Sequence, residues 1–266
     1  MDRIGKIFYH LCLVAVFITS CQRGEKVELN IDFSQSHTWR YLLGADLRGS
    51  LSCNDSSHSY SGSIRTYLQG VDSRENESST FATNDFLVKA DFLSDEQMFE
   101  LRNRLSVFEM SVCPKIGVTV SDTAVFGGMP LRNWDLFKSI SRAIPVMPSA
   151  PMSVGSSWER EYHIPVKTAQ GQETGELYQV FRLDSVVVDK GVQTEAYISW
   201  LFSYRVSADH SDNAQASTPM SGSGIGTAVI DIPKQRILMS NASFEIDHYD
   251  NCKTELQENV HIELIR

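Results

Sequence analysis

The sequence has no apolar run long enough to cross a membrane as a helix. Its N-terminal apolar stretch runs from Ile7 to Ile18, about a dozen residues, and Tyr9 and His10 interrupt it. A helical span needs roughly 20 apolar residues. The sequence therefore excludes a transmembrane helix, and this stretch needs another explanation.

Basic residues are also scarce. The chain has 24 Lys and Arg residues against 33 Asp and Glu, a formal net charge of −9. A surface this acidic repels nucleic acid and anionic lipid headgroups. We therefore expect no nucleic-acid partner, and any contact with a membrane must come from something other than a basic patch.

Motifs that carry catalysis or bind cofactors are absent as well. No G-x-S-x-G elbow is present, and Ser211-Asp212-Asn213 has no accompanying S-x-x-K or K-T-G. The glycine run from Gly222 to Gly226 is not G-x-G-x-x-G. Histidines do not recur at the helical spacing of metal ligands. The sequence predicts no catalytic residues, no cofactor, no metal site and no enzyme activity.

The first twenty residues have the layout of a secretory signal. Arg3 and Lys6 precede the apolar stretch, which ends in Ile18-Thr19-Ser20-Cys21. This ending resembles the bacterial lipobox, which implies that residues 1–20 are removed and that Cys21 carries the acyl groups of a membrane anchor. The alternative is a soluble secreted protein cut near Ser20.

The residues after Cys21 bear on location. Residues 21–34 are predicted to form a polar tether. Gln22 stands where some lipoproteins carry the aspartate that retains them at the inner membrane. By analogy, this favours attachment to the outer membrane, facing the periplasm or the cell surface.

Five cysteines are present, but two belong to the N-terminal region. Cys12 leaves with the signal and Cys21 is acylated, so Cys53, Cys113 and Cys252 remain. Export to an oxidising compartment permits a disulfide, although three thiols cannot all pair within one chain. The sequence leaves open whether two of them pair or all stay unpaired.

Period-two alternation dominates the mature chain and predicts long strands. In the first half they cover 39–51, 60–68 and 81–92, and two brief strands follow near 107–112 and 116–120; in the second half they cover 158–166, 175–189, 194–208, 222–232, 236–247 and 254–265.

Two helical patterns interrupt the strands. Ser94 and Gln97 form a capping box before a helix over 95–105, and a stripe that ends at Ile144 marks a second helix. Pro145, Pro148 and Pro151 then predict an extended crossing. We predict an α+β, β-dominated fold with a large curved antiparallel sheet, half-barrel-like, and two short helices. Residues 35–266 form one domain: an N-terminal part (35–143), the crossing (144–157) and the C-terminal strands (158–266).

The crossing carries a family resemblance. Its end, Met152-Ser153-Val154-Gly155-Ser156-Ser157-Trp158, resembles the P-x-P-V-x-x-G-x-x-W entry of a group of uncharacterised bacterial envelope proteins, and Gly222 to Gly226 is similar to their glycine-rich strand. Those proteins are similar to lipoprotein-carrier and lipoprotein-receptor folds. The resemblance implies a bent antiparallel sheet that wraps helices and holds acyl chains.

Two aromatic stripes are the candidate ligand-lining positions: Trp39, Tyr41 and Leu43 in the first strand, and Trp200, Phe202 and Tyr204 in a later one. Such a face either lines an apolar pocket or packs as core. The primary hypothesis is a lipid-anchored envelope protein that binds a lipid or another apolar ligand without catalysis. The alternatives are an interaction protein with a packed core that presents loops such as Asp209–Pro219, and an enzyme of an unrecognised class.

Overall fold

A single antiparallel sheet dominates the fold. The computed structural model describes residues 25–54, 56–74, 78–113, 117–120, 139–140, 142–168, 171–206, 220–249 and 252–265. Within these ranges, eleven strands form one open sheet, which confirms the predicted β-dominated, half-barrel-like fold. The strands are β1 Arg40–Cys53, β2 Ser56–Arg74, β3 Ser78–Ala90, β4 Val107–Cys113, β5 Gly117–Val120, β6 Ser157–Thr168, β7 Gly171–Asp189, β8 Val192–Val206, β9 Met220–Asp231, β10 Arg236–Tyr249 and β11 Lys253–Ile265.

The strand order is simple. It reads β5-β4-β3-β2-β1-β11-β10-β9-β8-β7-β6, so chain neighbours lie side by side except where β1 pairs with β11. That central pair joins the two halves of the chain, with Arg40 opposite Ile265 and Ser52 opposite Lys253. Pro165 lies in the edge strand β6, where a missing backbone donor is tolerated.

The two faces of the sheet differ because side chains alternate along each strand. In β8, Ile198, Trp200 and Phe202 are buried, whereas Leu201 and Ser203 are exposed. Residues that lie opposite each other in the ladders share a face, so these buried positions continue across β9, β10 and β11 to β1. We call this buried side the inner face and the opposite side the outer face.

Helices are few in the described ranges. Helix α1, Asp95–Leu105, begins at the predicted capping box: the Ser94 hydroxyl accepts from the Gln97 N–H, and the Gln97 side chain accepts from the Ser94 N–H. A 3-10 helix covers Phe33–Thr38. The predicted second helix lies outside the described residues except for its end, where residues 139–140 and 142 are helical. No described helix is long and apolar enough to span a bilayer.

The segment before β1 packs onto the domain. Val27, Leu29 and Ile31 are each no more than 4 % exposed, and Val27 exchanges both backbone hydrogen bonds with Met152. Apolar and polar residues alternate here as they do in the predicted strands, but over only five residues, from Val27 to Ile31. From residue 25 onward, the stretch expected to be a tether is therefore part of the folded domain.

A disulfide joins Cys53 to Cys252, across 199 residues of sequence. Cys53 ends β1 and Cys252 directly precedes β11, so the bond closes one end of the central β1–β11 pair. The sequence left this pairing open because the partners meet only through long-range strand register.

Candidate functional site

The six candidate lining residues all lie buried on the inner face. Trp39 directly precedes β1, and Tyr41 and Leu43 lie within β1. The other three, Trp200, Phe202 and Tyr204, lie within β8. Their exposed fractions run from 0 % at Leu43 to 7 % at Tyr204. Strands β11, β10 and β9 separate the two groups. The structure therefore places both groups on one face but does not bring them into one compact site.

Aromatic rings pack closely along the β6–β8 part of this face. The Trp158 and Phe181 rings stack with centroids 5.5 Å apart, and Phe181 lies 5.9 Å from Trp200. Phe202 contacts Phe244 of β10, with ring centroids 4.9 Å apart. These contacts are typical of a packed core, in which aromatic pairs prefer offset and tilted arrangements.

Glycines in β9 make this packing possible. A Cβ added at Gly226 would lie 2.0 Å from the Trp200 ring, and one at Gly224 would lie 2.3 Å from the Phe202 ring. The aromatic rings of the neighbouring strand β8 occupy the space that these glycines leave.

The chain covers its own inner face with residues 139–140 and 142–147, which we call the cover. Ile140, Ala143 and Ile144 are no more than 3 % exposed. The Trp158 indole N–H donates to the Val146 carbonyl at 2.8 Å, and an Arg160 guanidinium N–H donates to the Met147 carbonyl at 3.2 Å. The proline-rich crossing therefore runs over the sheet and is attached to β6.

Polar groups lie beneath the cover. The Ser139 hydroxyl donates to the Glu258 carboxylate at 2.5 Å, and Glu258 is 1 % exposed. The Ser240 hydroxyl donates to the Ala143 carbonyl. The Arg142 guanidinium lies 5.7 Å from the centre of the Tyr204 ring, within the range of a cation–π contact. These bonds hold the cover at specific points on β8, β10 and β11.

Burial also changes the chemistry of two inner-face tyrosines. It raises the pKa of Tyr60 to about 12 and raises the pKa of Tyr41 further still, because the phenolate is poorly solvated there. Both phenols therefore stay protonated at neutral pH. The Tyr60 hydroxyl donates to the Glu255 carbonyl at 3.3 Å.

Two buried N–H groups on the inner face have no hydrogen-bonding partner in the described part of the chain: the Trp200 Nε1–H and the Arg160 Nε–H. Trp200 lies on β8 and Arg160 on β6, on opposite sides of β7. Buried donors without partners are uncommon.

One cavity is defined entirely by described residues. It lies between β1, β2 and β3, is lined by side chains that include Leu47, Ile64, Val88 and Phe92, and has a volume of about 10 Å³. That is about the space of one water molecule. Ligand sites are typically several hundred Å³, so this cavity is too small for an acyl chain.

The outer face carries a feature that the sequence reasoning missed. Leu201 and Ile225 lie opposite each other on β8 and β9, and each is 60 % exposed. The signal was available, because both are apolar residues at positions that alternation assigns to the solvent face. Glu159 and Glu161 also lie exposed on this face of β6.

Several predicted features lie outside the described residues: the acylation site Cys21, the Asp209–Pro219 loop and the side chain of Cys113, the third cysteine of the mature chain. No protein-family model matches the chain, and no curated protein sequence is significantly similar to it.

Proposed function

We propose that this chain is a lipid-anchored protein of the bacterial envelope that acts by non-catalytic binding of a protein partner. The observation that supports this most is the filled inner face: residues 139–140 and 142–147 lie against its β6, β8, β10 and β11 part, and all six aromatic and aliphatic candidates on it are 7 % exposed or less. A face that the chain fills itself serves as core. Recognition then belongs to the outer surface.

Two features support the location. The signal layout ends in Cys21, and the Cys53–Cys252 disulfide is the kind of bond that persists outside a reducing cytoplasm. Acyl groups on Cys21 would supply the membrane contact that an acidic surface cannot.

A second candidate function is the binding of a lipid or another apolar ligand on the inner face. The Trp200 Nε1–H and the Arg160 Nε–H, which have no partner among the described residues, favour it, because oxygen atoms of an amphiphile would satisfy them if the cover moved. The resemblance to lipoprotein-carrier folds points the same way.

Native mass spectrometry of the mature protein, released from lipid nanodiscs, separates the two candidates. We expect a covalent mass increment on the peptide that begins at Cys21 and no further stoichiometric lipid. A lipid adduct that dissociates on collisional activation, at one per chain, would contradict the packed-core account and support the ligand account.

The anchor has its own test. Cys21→Ser should abolish acylation and leave the protein soluble or as uncut precursor, because the thiol is the acyl acceptor. Cys12→Ser is the matched control, since Cys12 lies inside the predicted signal. Fractionation and mass spectrometry of the N-terminal peptide measure both. Normal processing and membrane attachment of Cys21→Ser would remove the lipoprotein proposal.

A further inference from the structure

A group of apolar side chains stands out on the outer face of β7, β8 and β9. Val180 lies opposite Leu201, and Leu201 lies opposite Ile225, so the three adjoin across neighbouring strands. Leu201 and Ile225 are each 60 % exposed, and Tyr178, two residues before Val180 on the same face of β7, is 39 % exposed. We call these four residues the outer apolar patch.

The exposed apolar side chains of the patch are unusual for this face of the sheet. Its neighbours along β8 and β9 on the same face are Ser199, Ser203, Ser223 and Thr227. Polar residues at those positions keep a sheet face soluble, whereas branched apolar side chains in direct cross-strand contact leave a continuous apolar surface. Contiguous exposed apolar surface marks interaction sites.

Carboxylates border the outer apolar patch. Glu159 lies opposite Val180, Glu161 lies opposite Tyr178, and Glu245 lies opposite Ser223. The Glu159 carboxylate accepts a hydrogen bond from the Tyr178 hydroxyl, which raises the pKa of Tyr178 and places the carboxylate at the patch edge. Two described cations lie near the patch on the same face: Arg182, two residues from Val180 on β7, and Arg205 on β8, which is paired with Glu176. The border is therefore predominantly negative.

The negative border limits which partner can bind to the outer apolar patch. A second copy would bring the same carboxylates against themselves, and the whole chain carries a net charge of −9. An anionic bilayer surface would be repelled for the same reason. A basic border on the partner turns this repulsion into attraction and raises the rate of encounter.

We propose that the outer apolar patch docks a protein partner that presents an apolar centre bordered by lysine or arginine. The proposal rests on the function proposed above and names the surface and the partner chemistry. Leu201 and Ile225 form the centre of the contact, and Glu159 and Glu161 supply the charge complementarity.

The test uses the mature protein in phosphatidylcholine nanodiscs, with empty nanodiscs as the blank. The probe is an 18-residue amphipathic Leu/Lys helix, and its Leu/Glu counterpart is the charge control. We expect the Lys probe to bind with an affinity that falls as salt rises, and the Glu probe not to bind. The Leu201→Ser/Ile225→Ser variant keeps every charge and should weaken binding about tenfold or more, since central apolar anchors carry most of the energy.

Leu87→Ser is the matched control, because Leu87 is 53 % exposed on β3, at the other end of the sheet. It should leave the affinity within about twofold. Glu159→Gln/Glu161→Gln should weaken binding and flatten its salt dependence. Near-ultraviolet circular dichroism checks that each variant is folded. Equal effects of the patch variant and Leu87→Ser, or no effect of either, would overturn the proposal.

Sedimentation that shows a dimer of the wild type, lost in Leu201→Ser/Ile225→Ser, would assign the patch to a second copy and overturn the basic-partner proposal.

Photo-crosslinking in cells from positions 225, 87 and 202 separates this inference from the proposed function. Crosslinks to a protein from 87 alone overturn only the patch, whereas stoichiometric crosslinks to lipid from inner-face position 202 overturn protein binding as the function.

Discussion

Phe202 is the residue at which a packed core and a ligand pocket differ most. It is 6 % exposed, and its ring contacts Phe244 and lies over Gly224. We expect Phe202→Ala to lower the free energy of unfolding by about 3 to 5 kcal/mol, because truncation leaves a cavity that the surrounding β-strands cannot fill. Thermal and denaturant unfolding measure the loss.

The adjacent residue supplies the control. Leu201 points to the outer face and is 60 % exposed, so Leu201→Ala should change stability by only about 0.5 kcal/mol. A mild loss at Phe202, together with reduced uptake of an apolar fluorescent probe, would show that the inner face holds a ligand. Phe202 would then contribute to the binding of the ligand more than to the stability of the fold.

At the scale of the element, β9 is built to accept the side chains of β8. Gly226 faces Trp200 and Gly224 faces Phe202 in the ladder, so each glycine leaves room for the aromatic ring opposite it. A glycine in a strand interior usually weakens the strand, and it is tolerated where another group approaches closely. The glycines of β9 therefore make room for the aromatic rings of β8.

Gly226→Ala tests this pairing. The added Cβ would lie 2.0 Å from the Trp200 ring, so the ring or the strand must move. We expect a loss of about 1 to 3 kcal/mol, as for other overpacked cores, with a changed tryptophan fluorescence. Gly44→Ala is the control, because its Cβ would lie 3.3 Å from the flexible end of Arg65. Similar losses in both variants would show that strand glycines, rather than the ring contact, set the effect.

The strands and the first helix could be predicted because their signals are local. Alternation identified all eleven strands, and Ser94 with Gln97 identified the start of α1. The ends were less clear: β2 runs from Ser56 to Arg74, well beyond the predicted 60–68, because backbone pairing with β1 and β3 continues through polar residues.

Features that depend on long-range register could not be predicted. The sequence gives no local sign that Cys53 meets Cys252, that residues 142–147 cover the inner face, or that Leu201 meets Ile225. The two aromatic stripes were correctly assigned to one buried face of their strands. Their separation by three strands depends on the topology, in which β1 pairs with the last strand instead of a sequence neighbour.

At the scale of the whole molecule, the β1–β11 pair is where the two halves of the sheet meet. Strands β1–β5 and β6–β11 extend from it in opposite directions, so losing this pair would divide the sheet. The Cys53–Cys252 bond fixes one end of the pair and thereby links the stability of the whole sheet to the redox state of its compartment.

This linkage gives a prediction for the mature protein. The Cys53→Ser/Cys252→Ser variant should lose about 2 to 4 kcal/mol of unfolding free energy, because the unfolded chain is no longer constrained across 199 residues. Dithiothreitol should lower the melting temperature of the wild type to that of the variant and leave the variant unchanged. Cys113→Ser controls for the loss of a thiol and should retain the wild-type response to reductant. A wild type that melts at the same temperature with and without reductant would mean that the strand pair holds together without the bond, and the sheet would then not need an oxidising compartment for its stability.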